Sequence, residues 1–284
     1  MSQKISLHLT GFALTTILLC AGCNIPGFKA TATKKASGAT GKTPIGLSVE
    51  AHNGSVKVVC EPELDEMQVE AEIVCRGNTQ VEADQRLEKT ELVVTSTGDN
   101  QWKVSVQFPN SRGNGEGASL VVRVPALDSA KLETSNGAVD LDASKAAVNG
   151  SVQVDTSNGS ISVTRVSGNV KLDTSNGAIK VTDVGGKIDA DSSNGKIDVT
   201  LLEGQQGPAV IKTSNASISF TVPKDFAGLI KADTSNASVK LDDPGKIAAK
   251  SNLSKSSGEV VMGSGETKSI LDTSNGSIEI KIQP

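Results

Sequence analysis

The sequence predicts an all-β protein: a parallel β-solenoid, or β-helix, of about eight rungs with 18–22 residues each, preceded by an irregular β-rich cap with one short helix. Three observations predict it. A four-residue turn motif recurs through the second half of the chain, and apolar residues alternate with polar ones around each copy, which is strand spacing. The third is the shortage of rings, with one Trp, five Phe and no Tyr among 284 residues. A narrow interior filled by Val, Ile and Leu leaves little room for them.

Residues 1–22 are predicted to be a lipoprotein signal peptide. Lys4 precedes an apolar run from Ile5 to Leu19 that is too short to span a bilayer stably. The run leads into Leu18-Leu19-Cys20-Ala21-Gly22-Cys23, which resembles the lipobox of bacterial lipoproteins and makes Cys23 the lipidated first residue of the mature protein. Cys20 stands where that motif usually has Leu, so ordinary secretion is the alternative. Several acyl chains on one cysteine would anchor the protein durably.

Residues 23–45 are predicted to be a flexible tether, because Ala, Thr, Gly and Lys dominate and little apolar surface is available for burial. Without residues 1–22, which contain only Lys4 among the charged residues, the net charge is 27 − 32 = −5. This acidic balance argues against a nucleic-acid partner, which would need a basic stripe and stacking aromatic rings.

Residues 46–126 are predicted to form the β-rich N-terminal capping part. Thr79 and Glu82 have the spacing of a capping box and predict a short helix that runs to about Thr90. A solenoid needs its open end covered, which gives this region its role. Strands are expected at residues 55–60, 67–75, 91–96, 102–108 and 120–124.

Cys60 and Cys75 share the phase of the inward-facing residues of their strands, and we expect a disulfide between them. If the two strands are neighbouring parallel rungs, the cysteines lie about 4.8 Å apart, inside the disulfide range. A tight hairpin through residues 62–66 would instead separate them, leaving two free buried thiols. Export to an oxidising compartment favours the bond.

Residues 127–284 are predicted to form the β-solenoid repeats. Repeats of this length cannot bury a face alone and stack on their neighbours. An antiparallel sandwich of hairpins is the alternative, because Asn-Gly also favours hairpins, but an almost unchanged turn sequence favours identical stacked environments. Ser256-Ser257-Gly258 is interpreted as a degenerate copy that fills the longest gap. The turn asparagines, expected to form a structural ladder, are Asn136, Asn158, Asn176, Asn194, Asn215, Asn236 and Asn275.

A carboxylate precedes most of the turns and should point outward, forming a ridge along one edge of the rod. Lys212 interrupts it at one rung. The ridge could bind a cation or a ligand weakly, although the sequence lacks the bidentate Glu of an EF-hand loop. A solvated face that prevents aggregation is the alternative interpretation. The residues concerned are Asp155, Asp173, Asp191, Asp233 and Asp272, with Glu133 at the same place in the first turn.

We predict no catalytic residue, no metal site and no cofactor. His52 is the sole histidine after residue 22, and neither a zinc site of the usual kind nor a nucleophilic triad can be built around it. Sugar-cleaving solenoids also use aromatic rings and arginines, and from Lys131 onward the chain holds only Phe220, Phe226 and Arg165 of these kinds.

The layout resembles a known family over about residues 46–284. The resemblance is carried by Asn53-Gly-Ser-Val56, then Val122-Arg-Val-Pro125, then Leu132-Glu-Thr-Ser-Asn-Gly-Ala-Val139 and the repeated Ser-Asn-Gly strands. These resemble the bacterial putative-adhesin family of β-solenoid domains of unknown function. The resemblance implies a cell-envelope protein with no assigned catalytic residues.

We therefore expect a non-enzymatic, lipid-anchored envelope β-solenoid that acts as an adhesin-like binding or scaffold module. It would be exported as an outer-membrane lipoprotein that faces the periplasm or the surface, and its partner would be an envelope or surface protein or a polysaccharide, with no nucleic acid. A homotypic contact through the terminal strand Ser277–Pro284 is a further expectation. The alternatives are a polysaccharide-modifying enzyme on a β-helix scaffold and an envelope-stress sensor or regulator.

Overall fold

The computed structural model describes residues 27–109, 112–205, 207–263 and 267–283, so the predicted signal peptide and Cys23 lie outside the described residues. The described chain is built from short strands and a single helix. In chain order the elements are β1 (Phe28–Gly38), β2 (Ile45–Glu50), β3 (Val56–Cys60), β4 (Met67–Gly77), α1 (Gln80–Lys89), β5 (Glu91–Gly98), β6 (Gln101–Gln107), β7 (Gly117–Val124), β8 (Leu127–Thr134), β9 (Val139–Asp142), β10 (Val152–Thr156), β11 (Ile161–Val166), β12 (Val170–Thr174), β13 (Ile179–Val184), β14 (Ile188–Ser192), β15 (Ile197–Leu201), β16 (Ala209–Thr213), β17 (Ile218–Val222), β18 (Gly228–Thr234), β19 (Val239–Asp242), β20 (Lys250–Leu253), β21 (Ser257–Met262), β22 (Thr267–Thr273) and β23 (Ile278–Ile282).

The strands form two sheets, which we call sheet A and sheet B. Sheet A has the order β1-β4-β7-β3-β9-β11-β13-β15-β17-β23-β19, and sheet B has the order β20-β21-β18-β22-β16-β14-β12-β10-β8-β2-β6-β5. A rung consists of one strand from each sheet joined by the turn motif, and rungs stack through parallel pairing. The eight rungs, in spatial order, are β2/β3, β8/β9, β10/β11, β12/β13, β14/β15, β16/β17, β22/β23 and β18/β19. The predicted solenoid is confirmed.

Aliphatic ladders between the two sheets form the core. Every second residue of a strand points inward, and in-register pairing places like on like, as Val154 opposite Leu172 and Val163 opposite Val181. All four of these side chains are at most 1% exposed. The stacking of branched side chains on a pleated surface is the packing that these residues favour.

The cap extends both sheets beyond the first rung and adds the helix. Strands β4 and β1 continue sheet A in antiparallel pairing, and β5 closes sheet B against β6. Helix α1 packs on β1 and β4 and buries Ala83. Its N-cap is Thr79, whose hydroxyl accepts the Glu82 N–H, while the Glu82 carboxylate accepts the N–H of Asn78. The predicted helix is confirmed, with the returning bond one residue earlier than in the usual capping box.

The flexible-tether prediction for residues 23–45 is wrong for residues 28–38, which form β1. The strand pairs along its whole length with β4. Most of its inward positions hold small residues, such as Ala30 at 5% exposure, and helix α1 packs against the strand. An edge strand with a partner and a covering helix needs little apolar surface of its own, so a composition of Ala, Thr and Lys does not exclude order here.

The rungs are not stacked in sequence order. The last rung, β22/β23, lies between β16/β17 and β18/β19. The interpretation of Ser256-Ser257-Gly258 as a degenerate rung is wrong, since β21 turns back antiparallel on β18. Strand β23 is paired on both sides in sheet A and has no free edge; the homotypic contact through Ser277–Pro284 stays a prediction.

The predicted disulfide is wrong as well, because Cys60 and Cys75 are free and buried. Neither of the two arrangements considered from the sequence occurs, since β7 lies between β3 and β4. Cys60 is opposite Val124 on β7, whereas Val74 is opposite Gly117. Cys75 lies one residue further along than Val74, so the cysteines are separated by about 26 Å along β7. Burial raises the pKa of the Cys60 thiol to about 12 and also raises that of Cys75, which makes both thiols unreactive at neutral pH.

Candidate functional site

The first residue of the turn motif, Thr or Ser, is buried and bonds one rung to the one below it. In each copy the hydroxyl donates to the carbonyl oxygen that lies three residues further on in the turn of the preceding rung, as from Thr174 to Gly159 at 3.0 Å. The same bond occurs at Thr134, Thr156, Ser192, Thr213, Thr273 and Thr234, over 2.8–3.2 Å. The motif glycine sits so close to that carbonyl that a Cβ on Gly177 would overlap the oxygen of Gly159.

The third residue, Asn, forms the predicted ladder. Each Asn Nδ2 donates to the Oδ1 of the Asn on the rung below. The pairs are Asn158 to Asn136 (2.6 Å), Asn176 to Asn158 (2.7 Å), Asn194 to Asn176 (2.8 Å), Asn215 to Asn194 (2.7 Å), Asn275 to Asn215 (2.8 Å) and Asn236 to Asn275 (2.7 Å). At the lower end Asn136 donates to Asn53, and Asn53 in turn donates to the backbone oxygen of Glu116.

Asn53 was not among the predicted ladder residues. The turn of the first rung is Glu50-Ala51-His52-Asn53-Gly54. It keeps the Asn and Gly of the motif but has Ala and His in place of Thr and Ser. The signal that could have found it is this Asn-Gly pair with an acidic residue three places earlier, the same spacing as in Asp-Thr-Ser-Asn-Gly.

The carboxylates before the turns are brought together as predicted, but they line a shallow groove rather than a ridge. In-register pairing places Glu50, Glu133, Asp155, Asp173 and Asp191 side by side on the outer face of sheet B. Together with the serines of the turns they line a groove of about 490 Å³ that ends at His52. Five strands at about 4.8 Å each give the groove a length of about 19 Å along the rod.

The other two predicted carboxylates lie beyond Lys212. The order continues Asp191, Lys212, Asp272 and then Asp233. Asp272 comes before Asp233 because the last rung is inserted. The structure thus splits the predicted ridge into a groove with three of its five aspartates and a short pair past the lysine.

A second row, two residues earlier on each strand, partly neutralises the groove. Lys131 lies 2.7 Å from Glu133 and Lys171 lies 3.4 Å from Asp173. Gln153 donates to Asp155 at 2.9 Å. Lys103, from β6, lies 2.9 Å from Glu50, and its hydrogen bond is the main cause that lowers the pKa of that carboxyl.

Asp191 differs from the other groove carboxylates. Asp189 takes the place that the lysines and Gln153 hold on earlier rungs. Partial desolvation raises the pKa of Asp191, and the neighbouring Asp173 raises it further, while Lys212 lowers it. The upper end of the groove therefore carries a carboxylate whose pKa is raised.

Another cluster fixes the lower end of the asparagine ladder. The Glu116 side chain is fully buried, and its two oxygens accept from Nε and a terminal nitrogen of Arg86, each at 2.7 Å. The backbone N–H groups of Arg76 and Gly113 donate to it at 3.0 and 2.6 Å. Burial raises the pKa of Glu116, but these hydrogen bonds outweigh it and lower the pKa to about 2. The cluster is a structural latch, and no local pattern around Glu116 or Arg86 predicts it.

Within the described ranges, no group of three or more His, Cys, Asp or Glu side chains is placed to hold a metal ion. Carboxylates stacked in a single row, one strand apart, do not converge on a point as metal ligands do. Among these same residues, no helix has the length and apolar character needed to cross a bilayer.

No family model matches the chain, and no curated protein matches it. Solved structures do. A putative cell adhesion protein from Clostridium sporogenes is 12% identical, covers 90% of this chain and 100% of its own, and has a TM-score of 0.35. A putative adhesin from Bacteroides fragilis is 12% identical with 89% and 97% covered and a TM-score of 0.37. One from Parabacteroides distasonis is 9% identical with 88% and 97% covered and a TM-score of 0.35.

The names of these solved proteins agree with the family that the sequence motifs resemble.

Proposed function

We propose that this protein is an exported, lipid-anchored and non-enzymatic β-solenoid of the cell envelope that acts as an adhesin-like binding or scaffold module. The proposal rests on a division among the side chains of each rung: some bond the rung to its neighbours, and others face solvent. The Thr, Asn and Gly of the motif make hydrogen bonds and close contacts between rungs. The carboxylates and turn serines instead line one groove, and lysines pair with two of these carboxylates.

The groove suits an elongated polar partner. It runs along the rod across five strands, is open and shallow, and offers carboxylate and hydroxyl oxygens with lysines at its side. An envelope polysaccharide or an extended segment of a surface protein that carries hydroxyl and amine groups fits this chemistry.

Pull-down with envelope polysaccharides and surface proteins tests the binding role. The groove variant Asp155→Asn/Asp173→Asn/Asp191→Asn should lose most of the captured partner, and binding by the unmodified protein should weaken with salt. The control variant Asp140→Asn/Asp198→Asn/Asp242→Asn changes the charge by the same amount on the outer face of sheet A and should bind normally. Equal capture of the partner by both variants would argue against the groove as the binding surface.

Lipid anchoring through Cys23 is tested separately. Cys23→Ser should move the protein from the membrane fraction into the soluble fraction and abolish labelling by a fatty-acid analogue. Cys20→Leu restores the usual lipobox residue and should remain membrane-bound. Membrane retention of the Cys23→Ser protein would contradict the anchor.

A polysaccharide-modifying enzyme on the same scaffold is the second candidate, favoured by one observation. Asp173 and Asp191 lie on adjacent strands of the groove, at a spacing of about 5 Å that suits paired carboxylates in glycoside hydrolysis. The raised pKa of Asp191 beside Asp173 also suits an acid and base pair. Release of reducing ends from an envelope glycan, lost in both Asp173→Asn and Asp191→Asn, would support this enzyme and overturn the binding module.

A further inference from the structure

One corner of the cap exposes two large apolar side chains. Phe28, the first residue of β1, is 53% exposed, and Val81 in the first turn of α1 is 65% exposed. They are two of the four large apolar residues exposed in the described part of the chain; the others, Leu202 and Leu253, belong to the solenoid.

The corner is held in place by the surrounding backbone. Phe28 pairs with Gly77, three residues before α1 begins, and the next pair joins Lys29 to Arg76. The side chain of Gln80, the first residue of α1, donates to the backbone oxygen of Lys29 at 3.4 Å. The start of β1 and the start of α1 are therefore neighbours, which brings Phe28 and Val81 to one end of the molecule.

The chain also enters the fold at this corner. Cys23 precedes Phe28 by five residues, which can span about 18 Å at most. Since residues 28–38 form β1 instead of a tether, a lipid on Cys23 would hold the corner within that distance of the membrane surface.

We infer that Phe28 and Val81 form a membrane-contact corner that seats the capped end of the solenoid on a phospholipid surface. The inference rests on the lipid anchor of the proposed function. Exposed apolar side chains close to an acylated residue suit the interface, where they enter the headgroup boundary. Lys29 and Arg76 lie on the opposite face of sheet A, where they line a groove together with Glu72.

The test uses the full acylated protein reconstituted into vesicles of phosphatidylethanolamine and phosphatidylglycerol in a 3:1 ratio. Val81→Cys and, as the matched control, Leu253→Cys each receive the same environment-sensitive fluorophore. The buried thiols of Cys60 and Cys75 should not react. We expect a blue-shifted emission at position 81, and quenching by nitroxide-bearing lipids that is at least about twofold stronger there than at position 253. Phe28→Ser should reduce that difference.

Equal quenching at positions 81 and 253 in protein that floats with the vesicles would overturn the membrane-contact corner and leave the lipid anchor intact. Failure of the unlabelled protein to float would overturn both. An unchanged difference in Phe28→Ser would also contradict the corner, because the contact would then not involve the aromatic side chain.

Discussion

Asparagine is the side chain that allows the exposed turns of neighbouring rungs to bond to one another. Its amide has a donor and an acceptor on one short stem, so each copy can donate downward and accept from above. Aspartate could only accept, and serine is too short to bridge two turns. The repeated Asn therefore has a structural explanation that requires no ligand.

Asparagines in the middle and at the top of the ladder should differ in their contribution to stability. Asn176 donates to Asn158 and accepts from Asn194, whereas Asn236 ends the series and makes one ladder bond. At about 1 kcal/mol for each bond, Asn176→Ala should lower the free energy of unfolding by about twice as much as Asn236→Ala. Urea denaturation followed by circular dichroism measures both, and equal losses would contradict a role for the ladder.

The Glu116 latch should be the costliest single polar substitution in the cap. Glu116→Gln leaves the Arg86 charge facing a neutral partner inside the fold, and we expect a loss of about 3 kcal/mol at pH 7. The control Glu70→Gln removes a surface pair with Lys35, at 3.2 Å, and should cost less than about 1 kcal/mol.

The latch also predicts a pH dependence. The pKa of Glu116 is lowered to about 2 in the folded protein, from an ordinary value near 4.3 when unfolded. Its contribution is thus complete above about pH 5 and is lost as the pH falls towards 2. Unfolding curves between pH 7 and pH 3 should show a smaller loss of stability in Glu116→Gln than in the unmodified protein. Parallel curves would contradict the latch.

At the scale of the element, the carboxylate row depends on the lysine that interrupts it. Lys212 lies between Asp191 and Asp272. Lys212→Glu would join the two parts into one unbroken acidic row, and like charges directly opposite each other are unfavourable. We expect a loss of about 1 kcal/mol at low salt that shrinks in 1 M NaCl, where the screening length is about 3 Å. The control Lys224→Glu, in a turn outside the row, should have little effect. An equal loss of stability in this variant would show that the effect does not come from the contact of residue 212 with Asp191 and Asp272.

The elements that the sequence predicts well are those with local and repeated signals. The alternation around Val154 and Val163 identifies strands and their inward face, and the Thr79 and Glu82 spacing identifies the helix start. Strand β1 escapes prediction because its order comes from β4 and α1 rather than from its own residues. The groove could be predicted only in part. Glu133 shares the sequence position of the aspartates, whereas Glu50 precedes a turn that lacks the Thr and Ser of the motif.

At the scale of the whole molecule, what the sequence does not reveal is the order of the rungs. Every rung presents the same edges, with Thr, Asn and Gly at the same places, so any rung can stack on any other. The in-register pairing of Thr213 with Thr273, and of Thr273 with Thr234, illustrates this equivalence. The disulfide prediction failed for a related reason, because strand neighbours were assumed to follow chain order and β7 intervenes.

Removal of residues 264–284 should therefore close the stack rather than unfold it. Without β22/β23, the rung β18/β19 can pair directly with β16/β17, which brings Lys212 opposite Asp233. The pair Lys212→Cys/Asp233→Cys should form a disulfide in the shortened chain, where the strands would be about 4.8 Å apart, but not in the full chain, where they are about 9.6 Å apart.

Mass spectrometry of the oxidised, unreduced proteins detects this bond. Asp155→Cys/Asp173→Cys, on adjacent strands in both chains, is the positive control and should crosslink in each. Crosslinking of the control without crosslinking at positions 212 and 233 in the shortened chain would show that the stack does not close.

The inserted rung has a consequence for folding during synthesis and export. A polypeptide emerges from the ribosome and from an export channel with its N-terminal part first, so residues 228–242 arrive before residues 267–282. They meet a free and equivalent edge on β16/β17 and can occupy it at once. Once that rung has docked, residues 267–282 can reach their place only by displacing it, which predicts a slow exchange of partners late in folding.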